Sequence, residues 1–428
     1  MRHRFYCASA PTLMYQLLRK DVNRALFPEE NFKHFIQEGI PNVLTSSGEM
    51  ITKDGIETNH LGMRRFAKAF TQERKTKLFD TCNWAVDNGG FQIAQCLVPK
   101  QHLDGYRQDF HDFVSDHHPH FNFSFTLDMV PAVPEPEKVV PCLFETAREM
   151  YEYNARSYQE AASLQNNARE KIRCVFHFRG PRVFRAWNRI LFKDGLAERF
   201  THYATGGLVK SQGVKKLPIV GFAIPLVPLI SLSKKLGRAS FDFHVLGQAQ
   251  PSAIVAMRLI EEHIRAAHDI DVHFTHDAIS PITEASKRSL MLVDSLSFTL
   301  RSADMNSDNA LYYFDDGRSA VDALYDLVNQ DLLPYGIGPF DPKRHLYQNP
   351  NNGDLAPYGY VLGIINQVYN RTKLWRWAGG IARTCYPIYQ SGEKAAFKDK
   401  YAEVTGDVIC PQRHDNQVAA DGKKMLAT

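Results

Sequence analysis

Trp84-Ala85-Val86-Asp87-Asn88-Gly89-Gly90-Phe91-Gln92 is the stretch on which the reading of this chain turns. Three apolar residues run into a carboxylate, as at the close of a buried strand. Two glycines follow, able to bring backbone close to a ligand, and then an aromatic able to cover a flat ring. An acid at the carboxyl end of a strand is where α/β enzymes, barrels above all, keep proton-transfer groups. The competing reading is a tight turn whose Asp caps the next helix. Taken alone, the stretch supports both.

Outward from it, short apolar runs recur at 4–8, 42–45, 121–127, 173–178, 219–224, 241–246 and 272–275, with 84–86 among them. They read as buried parallel strands. Helical patterns lie between many of them: one over 143–164, and a clearer one over 252–267 with Ile254, Met257, Ile260 and Ile264 on one stripe. Strand–helix alternation on this scale implies a parallel sheet. About eight units favour closure into a (β/α)8 TIM-type barrel over 1–300, with an open doubly wound sheet as the alternative.

Past residue 300 the character changes. The stretch 319–333 is amphipathic through Val321, Leu324, Val328 and Leu332, and 358–383 is helical and rich in Tyr, Trp and Arg. The Pro/Gly/Asn-rich 333–358 between them reads as loops. A C-terminal helical appendage over 301–414 and a frayed polar tail over 415–428 are expected.

Apolar content of 44% and charged content of 23% suit a globular chain of 428 residues. Its seven cysteines are scattered, odd in number and free of CxxC, which points to a reducing compartment and against a disulfide scaffold. The N-terminus has no apolar leader. The most apolar stretch, 217–232, is short and broken by Pro218, Pro225 and Pro228, so no membrane span and a cytoplasmic location are expected. The net charge of +4 hides an imbalance: 169–238 holds fifteen Lys and Arg against three acids, leaving 36 basic and 44 acidic residues elsewhere. A concentrated basic surface suits a polyanion, because each phosphate contact releases counterions; a solvated face without a partner is the alternative.

Two more acids stand at expected strand ends: Asp128 in Phe125-Thr126-Leu127-Asp128-Met129-Val130-Pro131, and Asp277 in Val272-His273-Phe274-Thr275-His276-Asp277-Ala278. A closed barrel would bring them to one rim with Asp87. Several carboxylates without a metal-ligand cluster suggest glycosidic-bond chemistry, one attacking the sugar and another moving protons. Ala204-Thr205-Gly206-Gly207-Leu208 offers backbone N–H groups to a planar base, and Phe241-Asp242-Phe243-His244-Val245-Leu246-Gly247 offers an apolar wall. Each also fits an ordinary βα turn.

The ordered set Asp-Asn-Gly-Gly-Phe-Gln, Leu-Asp-x-x-Pro, Gly-Gly-Leu, His-x-Leu-Gly-x-x-x-Pro and Asp-x-x-x-Pro, over roughly 80–285, resembles the tRNA-guanine transglycosylase superfamily. That family is a (β/α)8 barrel that swaps guanine for a 7-deazaguanine base without cutting the nucleic-acid backbone. The resemblance implies Asp277 as nucleophile and Asp87 as general acid/base. It implies Asp128 on the guanine-like edge, with Asn88 and Gln92 adding polar contacts. Gly206 and Gly207 would meet the heterocycle's far side, and Phe91 and Leu246 would sandwich it.

Two departures narrow the likeness. The tRNA enzymes carry a zinc site, CxCxxC with a later His, and no cysteine lies between Cys174 and Cys385 here. Cys385, Cys410 and His414 are a weak remnant, and His117-His118-Pro119-His120 reads as a loop ahead of a strand; no metal site is expected, though zinc stays open. The family's amide after its fifth strand is replaced in Cys174-Val175-Phe176-His177-Phe178-Arg179-Gly180, so His177 or Phe178 would face the base. The chain is most similar to the DNA-modifying DpdA branch. That implies DNA and a preQ0-like 7-deazaguanine as partners, no required cofactor, and a possible homodimer. Arg179, Arg182, Arg185, Lys210, Lys215 and Lys216 are the candidate DNA contacts. An atypical tRNA enzyme, an inactive partner subunit and an unrelated sugar hydrolase are the alternatives.

Overall fold

The computed structural model describes residues 4–8, 40–71, 82–129, 143–178, 180–208, 218–282, 289–293, 300–304, 347–349, 354–355, 357–392 and 396. Eight parallel strands close on themselves in sequence order: β1 (Phe5–Ala8), β2 (Asn42–Ser46), β3 (Asn83–Asp87), β4 (Phe123–Phe125), β5 (Ile172–His177), β6 (His202–Gly206), β7 (Ser240–Val245) and β8 (Asp271–Ala278). Closure is made by β8 against β1, with Tyr6 opposite Asp277. The expected TIM-type barrel is present.

Alternation along each strand divides the apolar side chains into two cores. Tyr6, Leu44, Ala85, Phe123, Phe125, Val175 and Ala204 fill the lumen. The alternate residues of the strands, among them Phe5, Val43, Trp84, Val86, Cys174, Phe176, Phe243 and Phe274, point outward into the larger core beneath the helices. Each such large side chain removed from water contributes about 1.5–3 kcal/mol.

The helices of that outer layer include α1 (Gly62–Thr71), α2 (Gly90–Ala94), α3 (Leu103–His117), α4 (Ala147–Ser163), α5 (Pro181–Phe192), α6 (Pro218–Lys235) and α7 (Pro251–His268). In α5 the sequence explains the orientation. Proline sits in the first turn, Val183, Phe184, Trp187 and Leu191 form the buried face, and Arg182, Arg185 and Arg189 fall on the exposed one.

One expected strand is a helix. The run 219–224 lies inside α6, and the sixth strand is His202–Gly206 instead. A short apolar run does not distinguish a buried strand from a buried helix, and prolines argued against the latter. At Pro225 the lost bond is replaced: the proline supplies no N–H to the carbonyl of Gly221, and Thr205 Oγ1 donates to that carbonyl from β6 at 3.2 Å.

Part of the region expected as an appendage forms α8 (Pro357–Gln390), which packs on α7, β1 and the first strand of the hairpin Ser289–Val293/Leu300–Asp304. Arg371 donates to Ser280 Oγ at 3.0 Å just beyond β8, and Trp375 stacks on His276. The helix therefore stands where the eighth helix of a barrel belongs. The expected helix at 319–333, the tail at 415–428, and Arg179, Lys210, Lys215 and Lys216 lie outside the described residues.

Cys96 is disulfide-bonded, whereas Cys7, Cys82, Cys174 and Cys385 are buried thiols, so the described cysteines form no disulfide scaffold among themselves. No helix among the described residues is long and apolar enough to cross a membrane.

Candidate active site at the carboxyl rim of the barrel

The strand ends bring the three acids together. Asp87 closes β3, Asp128 follows β4 by three residues, and Asp277 is the penultimate residue of β8. All sit at the C-terminal rim.

Asp87 is held from two directions. Ser46, its register partner at the end of β2, donates from Oγ to Oδ2 at 2.7 Å, and the Gly89 N–H donates to the same oxygen at 3.3 Å. Burial nonetheless raises its pKa, the two hydrogen bonds oppose the rise, and the charges of Asp277 and Asp128 reinforce it. Asp87 is therefore near enough to both other rim carboxylates to feel their charge.

Asp277 is buried, and its pKa is pushed up to about 7, burial outweighing the hydrogen bonds made to it. Two groups meet Oδ1: the N–H of Gly247 donates to it at 2.9 Å, and Nε2 of His244 lies 3.0 Å away. The residue's own backbone N–H also favours its ionised form. A buried strand-end carboxylate of this kind is able to act as a nucleophile when ionised.

Asp128 is paired through Oδ2 with His177 Nε2 and lies 3.4 Å from the Tyr158 hydroxyl. Of the two residues expected to face the base, His177 turns into the lumen and Phe178 joins the outer core. His177 Nδ1 is buried and has no hydrogen-bond partner among the described residues. It lies beside Gly206, where a Cβ would meet His177 Cε1 at 2.7 Å and Leu246 Cδ1 at 3.3 Å. His177 and Leu246 thus pack directly on Gly206 beside Asp128. Gly207 follows with φ +76°, a conformation that favours glycine. Phe91 stands at the rim on the first turn of α2, 47% exposed.

Two of the expected site residues also engage the fold. Asn88, expected to contact the base, uses its amide on the fold: Nδ2 donates to Thr126 O and Oδ1 accepts from Gly90 N–H, each at 2.7 Å. Gln92, expected beside it, packs its amide against Gly48 in the turn after β2. Gly89 and Gly90 also have a different reason to be glycine. A Cβ on Gly89 (φ +73°) would lie 2.8 Å from Gly48 N, and one on Gly90 would lie 2.6 Å from the Asp128 carbonyl. The close approach is to neighbouring rim loops, and it locks Asp87 and Asp128 to one another.

Beneath the carboxylates the lumen is polar on one side. Arg173 of β5 is buried, donates to Thr275 Oγ1 at 2.6 Å and to Asp242 Oδ2 at 3.3 Å, and lies 3.6 Å over the Phe123 ring. The sequence reading passed over Ser46, Arg173 and Thr275. The signal for the last two was period-two spacing: Arg173-x-Val175-x-His177, Asp242-x-His244-x-Leu246 and His273-x-Thr275-x-Asp277 are inward rows.

The basic segment divides. Arg173 is in the lumen, Arg238 donates to the Phe200 carbonyl, and Lys235 pairs with Glu198. Arg182, Arg185, Arg189 and Lys193 instead share a groove of about 710 Å³ between α4 and α5, opposite Arg148, Tyr151 and Glu152. Among the described residues none of these four cations has an ion-pair partner. No group of three or more His, Cys, Asp or Glu among the described residues could hold a metal ion.

No family model and no curated protein matches this chain. Among solved structures it is similar to a family 1 β-glucosidase from Thermotoga maritima, at 11% identity and a TM-score of 0.30 over 79% of this chain and 86% of that one. A β-glucosidase of the same organism in complex with glucoimidazole gives 12% identity and a TM-score of 0.28 over 73% and 74%. Likenesses of this size add nothing to what the strand order already shows. The architecture is compatible with glycosyl-transfer chemistry.

Proposed function

We propose that this protein is a DNA-guanine transglycosylase that exchanges guanine for a preQ0-like 7-deazaguanine base. The observation that carries the reading is the meeting of Asp87, Asp128 and Asp277 at one rim, with the pKa values of Asp87 and Asp277 both raised. The Asp277 carboxylate attacks C1′ of a flipped deoxyguanosine, and the C1′–N bond breaks as Asp87 gives its proton to the departing guanine. The incoming base then loses a proton to Asp87 and displaces Asp277 from C1′. Two inversions give retention, and the polymer is never cut.

The base would lie at His177, Gly206 and Leu246 beside Asp128, the proposed slot, where His177 Nδ1 has no hydrogen-bond partner among the described residues. Extracting a guanine from the stack costs a few kcal/mol, which backbone contacts must offset. The unpaired cations of the α4/α5 groove are suited to supplying them, which supports a nucleic-acid substrate.

The test offers labelled 7-deazaguanine with duplex DNA and with tRNA to the wild-type chain and to Asp277→Asn. Label is expected in DNA with the wild type and absent with the variant. Label in tRNA alone would show the polymer to be wrong; label in neither would sink the reading.

A further inference from the structure

The column of polar groups under Asp277 has a direction. Arginine only donates hydrogen bonds, so Thr275 Oγ1 must accept from Arg173 Nη1 at 2.6 Å. The acceptor available to the threonine proton is His244 Nδ1, 2.8 Å away. Once Nδ1 accepts, the imidazole proton resides on Nε2, the atom 3.0 Å from Asp277 Oδ1. The opposite tautomer would strand the threonine proton and set a lone pair against the carboxylate.

The ring has little freedom to choose otherwise. His244 is fully buried among Tyr6, Phe123 and Phe125, with ring centroids 6.0, 5.3 and 5.1 Å away. Burial and the Arg173 cation hold its pKa well below the ordinary value, so it stays neutral. The titratable or charged groups around it are Tyr6 on β1, Arg173 on β5, Asp242 on β7, and His276 and Asp277 on β8; Asp277 in turn raises the pKa values of Cys7 and Asp87.

We infer that Arg173 and Thr275 fix the Nε2–H tautomer of His244, making His244 a positioning residue that holds Asp277 by Oδ1 and leaves Oδ2 as the attacking atom. The inference rests on the transglycosylase reading for what Oδ2 attacks, though not for the tautomer. A neutral donor steadies the carboxylate without neutralising it, whereas an imidazolium would form an ion pair and weaken the nucleophile.

Nitrogen NMR of the histidine rings tests this on the whole protein, with His244→Gln subtracted to assign the signal. The wild type should show His244 protonated on Nε2 from pH 5 to 9. Thr275→Val, which removes only the hydroxyl, should show a tautomer mixture. In base exchange, Thr275→Val and His244→Leu should lower kcat about tenfold or more at unchanged KM and move the acid limb of the rate profile to higher pH. His244→Gln, whose amide can still donate, should keep the limb near its wild-type position.

A wild-type ring protonated on Nδ1, or an acid limb unmoved in both Thr275→Val and His244→Leu, overturns the inference. The expected tautomers with no base exchange in the wild type uphold the lock while sinking the transglycosylase reading alone.

Discussion

Ser46 and Asp87 are register partners on adjacent strands and are also joined by a 2.7 Å hydrogen bond from the hydroxyl to Oδ2. This bond is the largest influence opposing the rise of the Asp87 pKa. Ser46→Ala should therefore raise that pKa further, moving the alkaline limb of kcat/KM to higher pH. Asp87 would also become a poorer acid when protonated, so kcat should fall on the order of tenfold. A pH–rate profile with both limbs unmoved would show that Asp87 is not the proton donor.

Asp277 gives a prediction whose sign is fixed by its pKa of about 7, against 3.8 for the ordinary residue. Only the ionised carboxylate attacks, so activity should rise with pH through about 7. Stability should move the other way. Between 3.8 and 7 the folded state holds a proton that the unfolded chain has lost, so stability falls as pH rises through that window and the full deficit remains above it. Asp277→Asn carries no such charge. Its Tm should exceed that of the wild type at pH 8, by the equivalent of a few kcal/mol, and the gain should vanish near pH 4. Equal shifts at both pH values would contradict the raised pKa.

Gly206→Ala tests the base slot without touching an acid. The added methyl would sit 2.7 Å from His177 Cε1 and 3.0 Å from its Nδ1, so the ring must move against its bond to Asp128. KM for the incoming base should rise at least tenfold while kcat changes little. Calorimetric titration with guanine should show the same loss, and a wild-type affinity would remove this slot from the site.

The rim acids were legible because a barrel puts strand-end side chains in one place, whatever the intervening sequence. The glycines beside them were misread in part. Gly89 and Gly90 look like ligand-facing backbone, yet they are pressed against Gly48 and Asp128 of neighbouring loops, a constraint with no local signature. The 219–224 run failed for a similar reason: the donor that makes Pro225 tolerable in a helix is Thr205, on another strand. His244 was visible as part of a motif, but its role depends on Thr275 and Arg173, which meet it only after closure. Asn88, a polar residue beside Asp87, also has a role in the fold that the sequence did not show, its amide bonding Thr126 O and Gly90 N–H.

That role for Asn88 makes a prediction of its own. Asn88→Ala breaks bonds to Thr126 O and Gly90 N–H, leaving buried backbone groups unsatisfied at a cost of about 1–3 kcal/mol. Stability and kcat should fall together, because the same amide ties the Asp87 turn to the Asp128 loop. If kcat/KM for the base falls with no change in Tm, the side chain contacts substrate after all.

The α4/α5 groove makes the last prediction, and it is quantitative in salt. Each phosphate neutralised by a cation contributes about −0.9 to the slope of log K against log salt on duplex DNA. Arg185→Glu with Arg189→Glu should weaken duplex binding and make the slope shallower by about 2. Arg64→Glu, on α1 and already engaged by Asp109, should change the slope by less than half a unit. Fluorescence anisotropy from 50 to 300 mM salt reads both on the whole protein, and Asp277→Asn, deficient only in chemistry, should bind as the wild type does. If the double variant keeps the wild-type slope, the four cations are a solvated face and the polymer backbone runs elsewhere.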